Sequence, residues 1–229
     1  MQIAETLVKQ GMTGDTRFND ELSSIIQLRG LYRVIETGTF HGRGTTRAII
    51  TGLTKLFHPF EFYSIEVNSE HHRIATKNIG HMNGVHLLNG LSVAKSDLPI
   101  SATFEVPDYI VVDHMDEHRN NLYTQEVSYP VPDNMLDVAL SKFDYKPDMV
   151  LLDSAGHMGL IEFHYLMKRV KGEFILALDD TDHVKHYDTM LFINEHPEKF
   201  TVIKRVQSEF LDPVHGSKFG FAIIQVHGL

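Results

Sequence analysis

The chain contains no cysteine. Disulfides, thiolate zinc sites and cysteine nucleophiles are therefore all excluded. It has no run of about 18 apolar residues, so no membrane span is expected. Basic residues are the scarcer sign, 21 against 30 acidic, for a net charge of −9. That balance argues against a nucleic-acid partner or an anionic-membrane surface, while leaving room for a local basic patch. No Gly-rich phosphate loop ending in Lys-Ser/Thr is present, no Gly-x-Ser-x-Gly elbow, and no G-x-G-x-x-G dinucleotide fingerprint. The opening MQIAETLVKQ lacks a basic-then-apolar signal pattern, and a cytoplasmic protein is expected. Histidine is abundant, at 15 residues, and scattered surface imidazoles account for most of them.

What is there reads as one globular domain over 1–229, with 42% hydrophobic and 22% charged residues. Short β-rich runs alternate with helical patterns, the signature of a parallel sheet covered on both faces. The expected strands are 32–36, 61–66, 85–88, 148–153 and 173–179. Helical periodicity groups Ile49, Leu53 and Leu56 in 44–57; Leu160, Phe163, Met167 and Val170 in 159–170; and Val184, Tyr187 and Leu191 in 183–195. N-terminal helices are expected within 1–30, ahead of the first strand. The tail differs: 201–206 and 219–226 are strand-like with no helix between them, so they should pair antiparallel. The expected fold is a Rossmann-like, doubly wound α/β sheet of seven strands, mainly parallel, with a C-terminal antiparallel hairpin.

Residues 93–147 fit this alternation poorly and read as an insertion before the fourth strand. PDYIVVD at 107–113 and PDMVLLD at 147–153 are near-copies, and either is a candidate for the fourth strand. The second is chosen because a helix and then strand 173–179 follow it. Within the insertion, 104–133 mixes Phe104, Tyr109, Tyr123 and Tyr129 with His114, Asp116, His118 and Arg119. Such a mixture suits a lid over a small-molecule acceptor; the alternative is a surface excursion or an arm of a homo-oligomer.

The densest signal is VIETGTFHGRGTT at 34–46. An apolar strand ends in Glu36, a turn carries glycines at 38, 42 and 44, and a helix begins. Glycine lets the backbone approach a ligand, and free helix N–H groups face it. The E-x-G-x-x-x-G spacing resembles motif I of the class I S-adenosylmethionine-dependent methyltransferases. YSIEVNSEHHRIATKNI at 63–79 resembles the segment that follows motif I in that family, whose core is also a parallel sheet closed by an antiparallel hairpin. The resemblance implies S-adenosylmethionine as cofactor and places Glu36, Gly38, Thr39, Phe40, Gly42 and Thr45 around it. Thr45 and Thr46 are alternatively helix-capping hydroxyls. Glu66, with Val67 beside it, ends the second strand 28 positions after Gly38, where an acid can accept both ribose hydroxyls. After the third strand, Gly90 is implied at the cofactor, and Leu91 and Ser92 hold the places of the residues that contact adenine in the catechol and caffeoyl-coenzyme A O-methyltransferases that this segment resembles.

Asp153 closes the fourth strand and Asp179-Asp180 close the fifth. In a parallel sheet all three lie at the carboxyl edge, and adjacent strands about 4.8 Å apart let carboxylates converge on one hard divalent cation. The alternative is strand-end acids capping the helices that follow. LLDSAGH…ILALDD resembles the metal-dependent and macrocin-type O-methyltransferases, which implies Mg²⁺ or another divalent cation at Asp153, Asp179 and Asp180 and a catalytic role for Asp153. His157 is the first candidate for the base; His183 and His186 are further candidates as bases or ligands. The expected activity is methyl transfer to an oxygen of a small molecule or sugar. A non-catalytic cofactor-binding or assembly protein on the same fold is the alternative, and the glycine spacing disfavours a nicotinamide enzyme.

Overall fold

The structure, a computed structural model, describes residues 16–98, 123–154, 158–207, 209–210, 217–218 and 220–228. Helix α1 (Thr16–Arg29) buries Phe18, Leu22, Ile25 and Ile26, a 3.6-residue stripe that lies against the second helix. The core then alternates strand and helix: β1 (Arg33–Thr37), α2 (Thr45–Thr54), β2 (Glu61–Glu66), α3 (Ser69–Ile79) and β3 (Val85–Asn89). Residues 123–128 form a short helix, α4, and α5 spans Met135–Ser141. β4 (Met149–Leu152), α6 (Met158–Arg169), β5 (Phe174–Asp179) and α7 (Tyr187–Glu195) complete the alternating part. The tail adds β6 (Phe200–Val206), a two-stranded ribbon of β7 (Glu209–Phe210) and β8 (Ser217–Lys218), and β9 (Phe221–Val226).

Seven strands form one sheet in the order β3-β2-β1-β4-β5-β9-β6. The first five are parallel, and β9 runs antiparallel to both β5 and β6. The α/β class, the seven strands and the C-terminal hairpin are therefore as the sequence predicts, and the second near-copy supplies β4. The first copy, 107–113, lies outside the described residues.

Parallel strands buried on both faces must be apolar throughout rather than alternating. β4, MVLL, has all four residues buried. Its odd positions face one core with Val34, Phe62 and Ile175; its even positions face the other with Ile35, Ile65 and Leu176. Helices α1 and α2 cover the first face and α5, α6 and α7 the second.

Two helical faces differ from their periodicity. In α6 Phe163 is buried as expected, as is Val170 just beyond the helix, but Met158, Gly159, Glu162, Tyr165 and Leu166 are buried too, while Leu160 and Met167 lie on the flank, only partly buried. In α7, Thr189, Met190 and Ile193 are buried while Leu191 is exposed. The reason is a late start: the expected helix 183–195 begins at Tyr187, because Asp180 turns the chain in the left-handed region (φ 57°) and 181–186 folds back as a turn. Among the described residues no helix is long and apolar enough to cross a membrane.

Candidate active site at the carboxyl edge of the sheet

Parallel register puts the ends of β1, β2, β4 and β5 side by side. Thr37 lies beside Leu152, Leu152 beside Leu178, and Thr37 also beside Ile65. The residues that follow these strands therefore share one edge, where open α/β sheets bind ligands.

Glu36 lies beneath the first turn, with no exposed surface. Thr45 donates to one of its carboxyl oxygens at 3.0 Å; Thr46 and Ser64 donate to the other at 2.8 and 2.6 Å. Burial outweighs those three hydroxyls and pushes the Glu36 carboxyl up to about 8. Glu36 thus braces the turn from inside the core. Of the two readings of Thr45 and Thr46, capping is not what their hydroxyls do: both donate to Glu36, and the N-cap of α2 is Gly44, which offers no side-chain cap. Gly38 has φ 85°, and a Cβ there would lie 2.2 Å from the Asp153 carbonyl oxygen, so the turn rests directly on the end of β4.

Glu66 is 6% exposed at the end of β2. Its Oε2 accepts the Phe40 N–H at 2.6 Å and its Oε1 accepts the Asn68 N–H at 2.8 Å. Asn68 caps α3 through Oδ1, and its amide nitrogen donates to the Tyr129 hydroxyl at 3.1 Å. Phe40 stacks on His41 and meets His71 edge-on beside this carboxylate. Thr39 and Ser64 share a hydroxyl–hydroxyl bond of 2.6 Å, which ties the first turn to β2.

Segment 123–135 runs across the β3 end. Leu91 N–H donates to Pro132 O and Met135 N–H returns to Leu91 O. Gly90 is in close contact with Pro132 and Met135, Leu91 is buried, and Val67 is half-buried beside them. Within this segment Glu126 is pushed up to about 8, by burial first and then by Glu66 and Glu162, against the pull of Lys185. The described part of the expected lid, 123–133, thus runs along this edge. Phe104, Tyr109, His114, Asp116, His118 and Arg119 lie outside the described residues, as does His157.

Asp153, Asp179 and Asp180 converge as the sequence predicts, with one carboxylate oxygen of each within 4.8 Å of the others. The sequence gives no sign of what lies among them. Lys185 Nζ is 2.7 Å from Asp153 Oδ1 and 2.9 Å from Asp180 Oδ2, with a side chain only 6% exposed. Burial opposes the ammonium, but Asp153, Asp180 and Asp179 together hold its pKa well above the ordinary lysine range. Burial would raise Asp180 as well, yet Lys185 and His183 hold it below the usual carboxylate range. Asp179 is raised well above that range, by burial and then by Asp180 and Asp153, and so keeps its proton most readily.

His186 is fully buried, with Nε2 3.2 Å from Leu152 O, and burial followed by Lys185 lowers its pKa to about 3. Its bond to the end of β4 makes it an anchor for the turn, with no ring nitrogen facing the edge for a base or ligand role. His183 Nδ1 accepts the Lys185 N–H at 3.3 Å. Gly159 completes the fit: a Cβ there would lie 2.4 Å from the His186 ring.

A further buried carboxyl, unsuspected from the sequence, is Glu162 on α6. It accepts Thr37 Oγ1 at 3.0 Å and Ser154 Oγ at 2.6 Å, and Ser92 donates to it as well. Burial raises its pKa against these hydroxyls and Lys185. Ser92, expected beside adenine, is thereby tied to Glu162.

Solved structures, among them O-methyltransferases, share this fold. No family model and no curated protein matches the chain by sequence. An O-methyltransferase from Bacillus cereus in complex with SAH (S-adenosylhomocysteine) superposes with a TM-score of 0.57 at 15% identity, covering 98% of this chain and 89% of that one. Cofactor-bound Rv0187 from MTB gives 0.58 at 15%, covering 99% and 90%. An O-methyltransferase fold from Klebsiella pneumoniae gives 0.56 at 13%, covering 100% and 89%.

Proposed function

We propose that the chain is an S-adenosylmethionine-dependent methyltransferase acting on an oxygen of a small molecule or sugar. The observation that carries this reading is Glu66, fixed by two backbone amides at the carboxyl edge beside the Gly38–Gly44 turn. An ionised carboxylate has about four lone-pair sites. Two are taken, and two remain for a ribose diol. The solved neighbours support the same cofactor, one of them being an SAH complex.

When bound, S-adenosylmethionine supplies an electrophilic methyl group on a sulfonium. The remaining work belongs to the chain. Glu66 would orient the ribose, the N-terminus of α2 would receive the cofactor's carboxylate, and the 90–92 turn with segment 123–135 would wall the adenine. Proximity and orientation of acceptor and methyl are the main contribution. A base near the donated methyl would have to take the acceptor's proton, and His157, four positions after Asp153, is the residue assigned that role. Asp153, Asp179 and Asp180 are the donor set a divalent ion would need, but Lys185 already bridges two of them, so the mechanism runs through no metal.

Thermal shift against S-adenosylmethionine, S-adenosylhomocysteine, NAD and Mg²⁺ tests the reading. S-adenosylhomocysteine should raise the melting temperature and NAD should leave it unchanged. Stabilisation by NAD alone would sink the proposal. Cofactor binding with no methyl transfer to any hydroxylated small molecule would point to the non-catalytic alternative.

A further inference from the structure

We propose that the Lys185 ammonium is the resident cation of the Asp153–Asp179–Asp180 cluster, standing where a divalent ion would otherwise sit. The cluster has the donor atoms of a hard-metal site. A magnesium ion would need those oxygens at about 2.0–2.1 Å, and calcium at about 2.3–2.6 Å. Lys185 Nζ already holds one oxygen of Asp153 and one of Asp180 at 2.7 and 2.9 Å. A divalent ion on the same two oxygens would lie within a few ångströms of the ammonium in a partly desolvated site, where like charges repel strongly.

Nor can the lysine readily leave. Its residue is 5% exposed. The turn that carries it is fixed on one side by His186 against Leu152 O and on the other by Gly159, whose missing side chain makes room for the His186 ring and Lys185 O. Swinging the ammonium out would break two charge-assisted bonds and disturb this packing. An ammonium carries three donors. Two are committed to Asp153 and Asp180, which leaves one for an acceptor oxygen. Resting on the methyltransferase reading, Lys185 would orient that oxygen and favour its developing negative charge, the service a metal gives elsewhere.

The test is a Mn²⁺ titration of the full chain, followed by electron paramagnetic resonance of the free ion. Wild type should show no saturable site up to millimolar Mn²⁺, and chelator should leave its melting temperature unchanged. K185M, which removes the charge but keeps the stem, should gain one site, with at least a tenfold rise in affinity, and D153N in that background should abolish it. One saturable site in wild type that D153N removes would overturn the proposal; so would a folded K185M that binds no Mn²⁺. If K185M does not fold, the wild-type and D153N titrations still decide it. S-adenosylhomocysteine calorimetry on the same preparations reports separately on the methyltransferase reading, since cofactor binding does not depend on the Mn²⁺ result.

Discussion

The Glu66 carboxylate accepts the Phe40 N–H at 2.6 Å, so the acid that ends β2 holds the turn that leaves β1. Cofactor contact and turn geometry therefore depend on one side chain. Glu66→Ala should weaken S-adenosylhomocysteine binding by roughly 1.5–3 kcal/mol, about 10- to 150-fold, through loss of charge-assisted bonds. Isothermal titration calorimetry measures it. Unchanged affinity would remove Glu66 from the site.

Glu36 gives a pH signature. Its ordinary value is 4.5 and burial raises it to about 8. Between those values the folded chain keeps a proton that the unfolded chain has released. Stability should fall as pH rises through this window, by up to ~1.4 kcal/mol per unit from this group, and level off above about 8. Glu36→Gln carries no titrating proton. Its melting temperature should decline less than wild type's between pH 5.5 and 8, and equal slopes for the two proteins would contradict the assignment.

Glu162 holds hydroxyls from β1, the β3 turn and the β4 turn around one carboxyl. Glu162→Ala removes the shared acceptor and leaves buried hydroxyls unpaired. A loss of about 3 kcal/mol is expected in urea unfolding. Glu162→Gln keeps an acceptor and should lose less than half of that. Equal losses would mean that an amide oxygen cannot replace the carboxyl as the shared acceptor.

Gly38→Ala combines a left-handed backbone with a Cβ only 2.2 Å from the Asp153 carbonyl oxygen. The turn and the β4 end must separate. A stability loss above ~2 kcal/mol is expected, together with weaker S-adenosylhomocysteine binding. Gly44, at φ 58° and ψ −127°, has no neighbour within 4 Å, so Gly44→Ala should cost only backbone strain, about 1–3 kcal/mol.

The features legible in the sequence were those with local causes. Apolar runs such as MVLL and FILALD announce strands buried on both faces, and a tail without a crossover helix announces an antiparallel pair. Acids at strand ends mark the edge because register alone brings them together. Lys185 and Glu162 were illegible for the opposite reason. A lysine between two histidines looks solvated, and only the left-handed turn at Asp180, with the His186 anchor, carries it 32 positions back to Asp153. Glu162 looks like a flank residue until α6 packs against α7 and β4. Helical faces depend on what a helix packs against, and periodicity near a helix start cannot fix them.

The strand β9 lies between β5 and β6, although both of its partners precede it in the chain. During synthesis, β6 therefore has no neighbour in the sheet until the last strand emerges, and its exposed outer edge waits with unpaired amides. Closure of this half of the sheet is a late event of high sequence separation, while β1 to β5 can pair as they appear. Interrupting the chain before Phe221 would leave β5 as an apolar open edge, inviting association with other chains rather than a merely shortened protein.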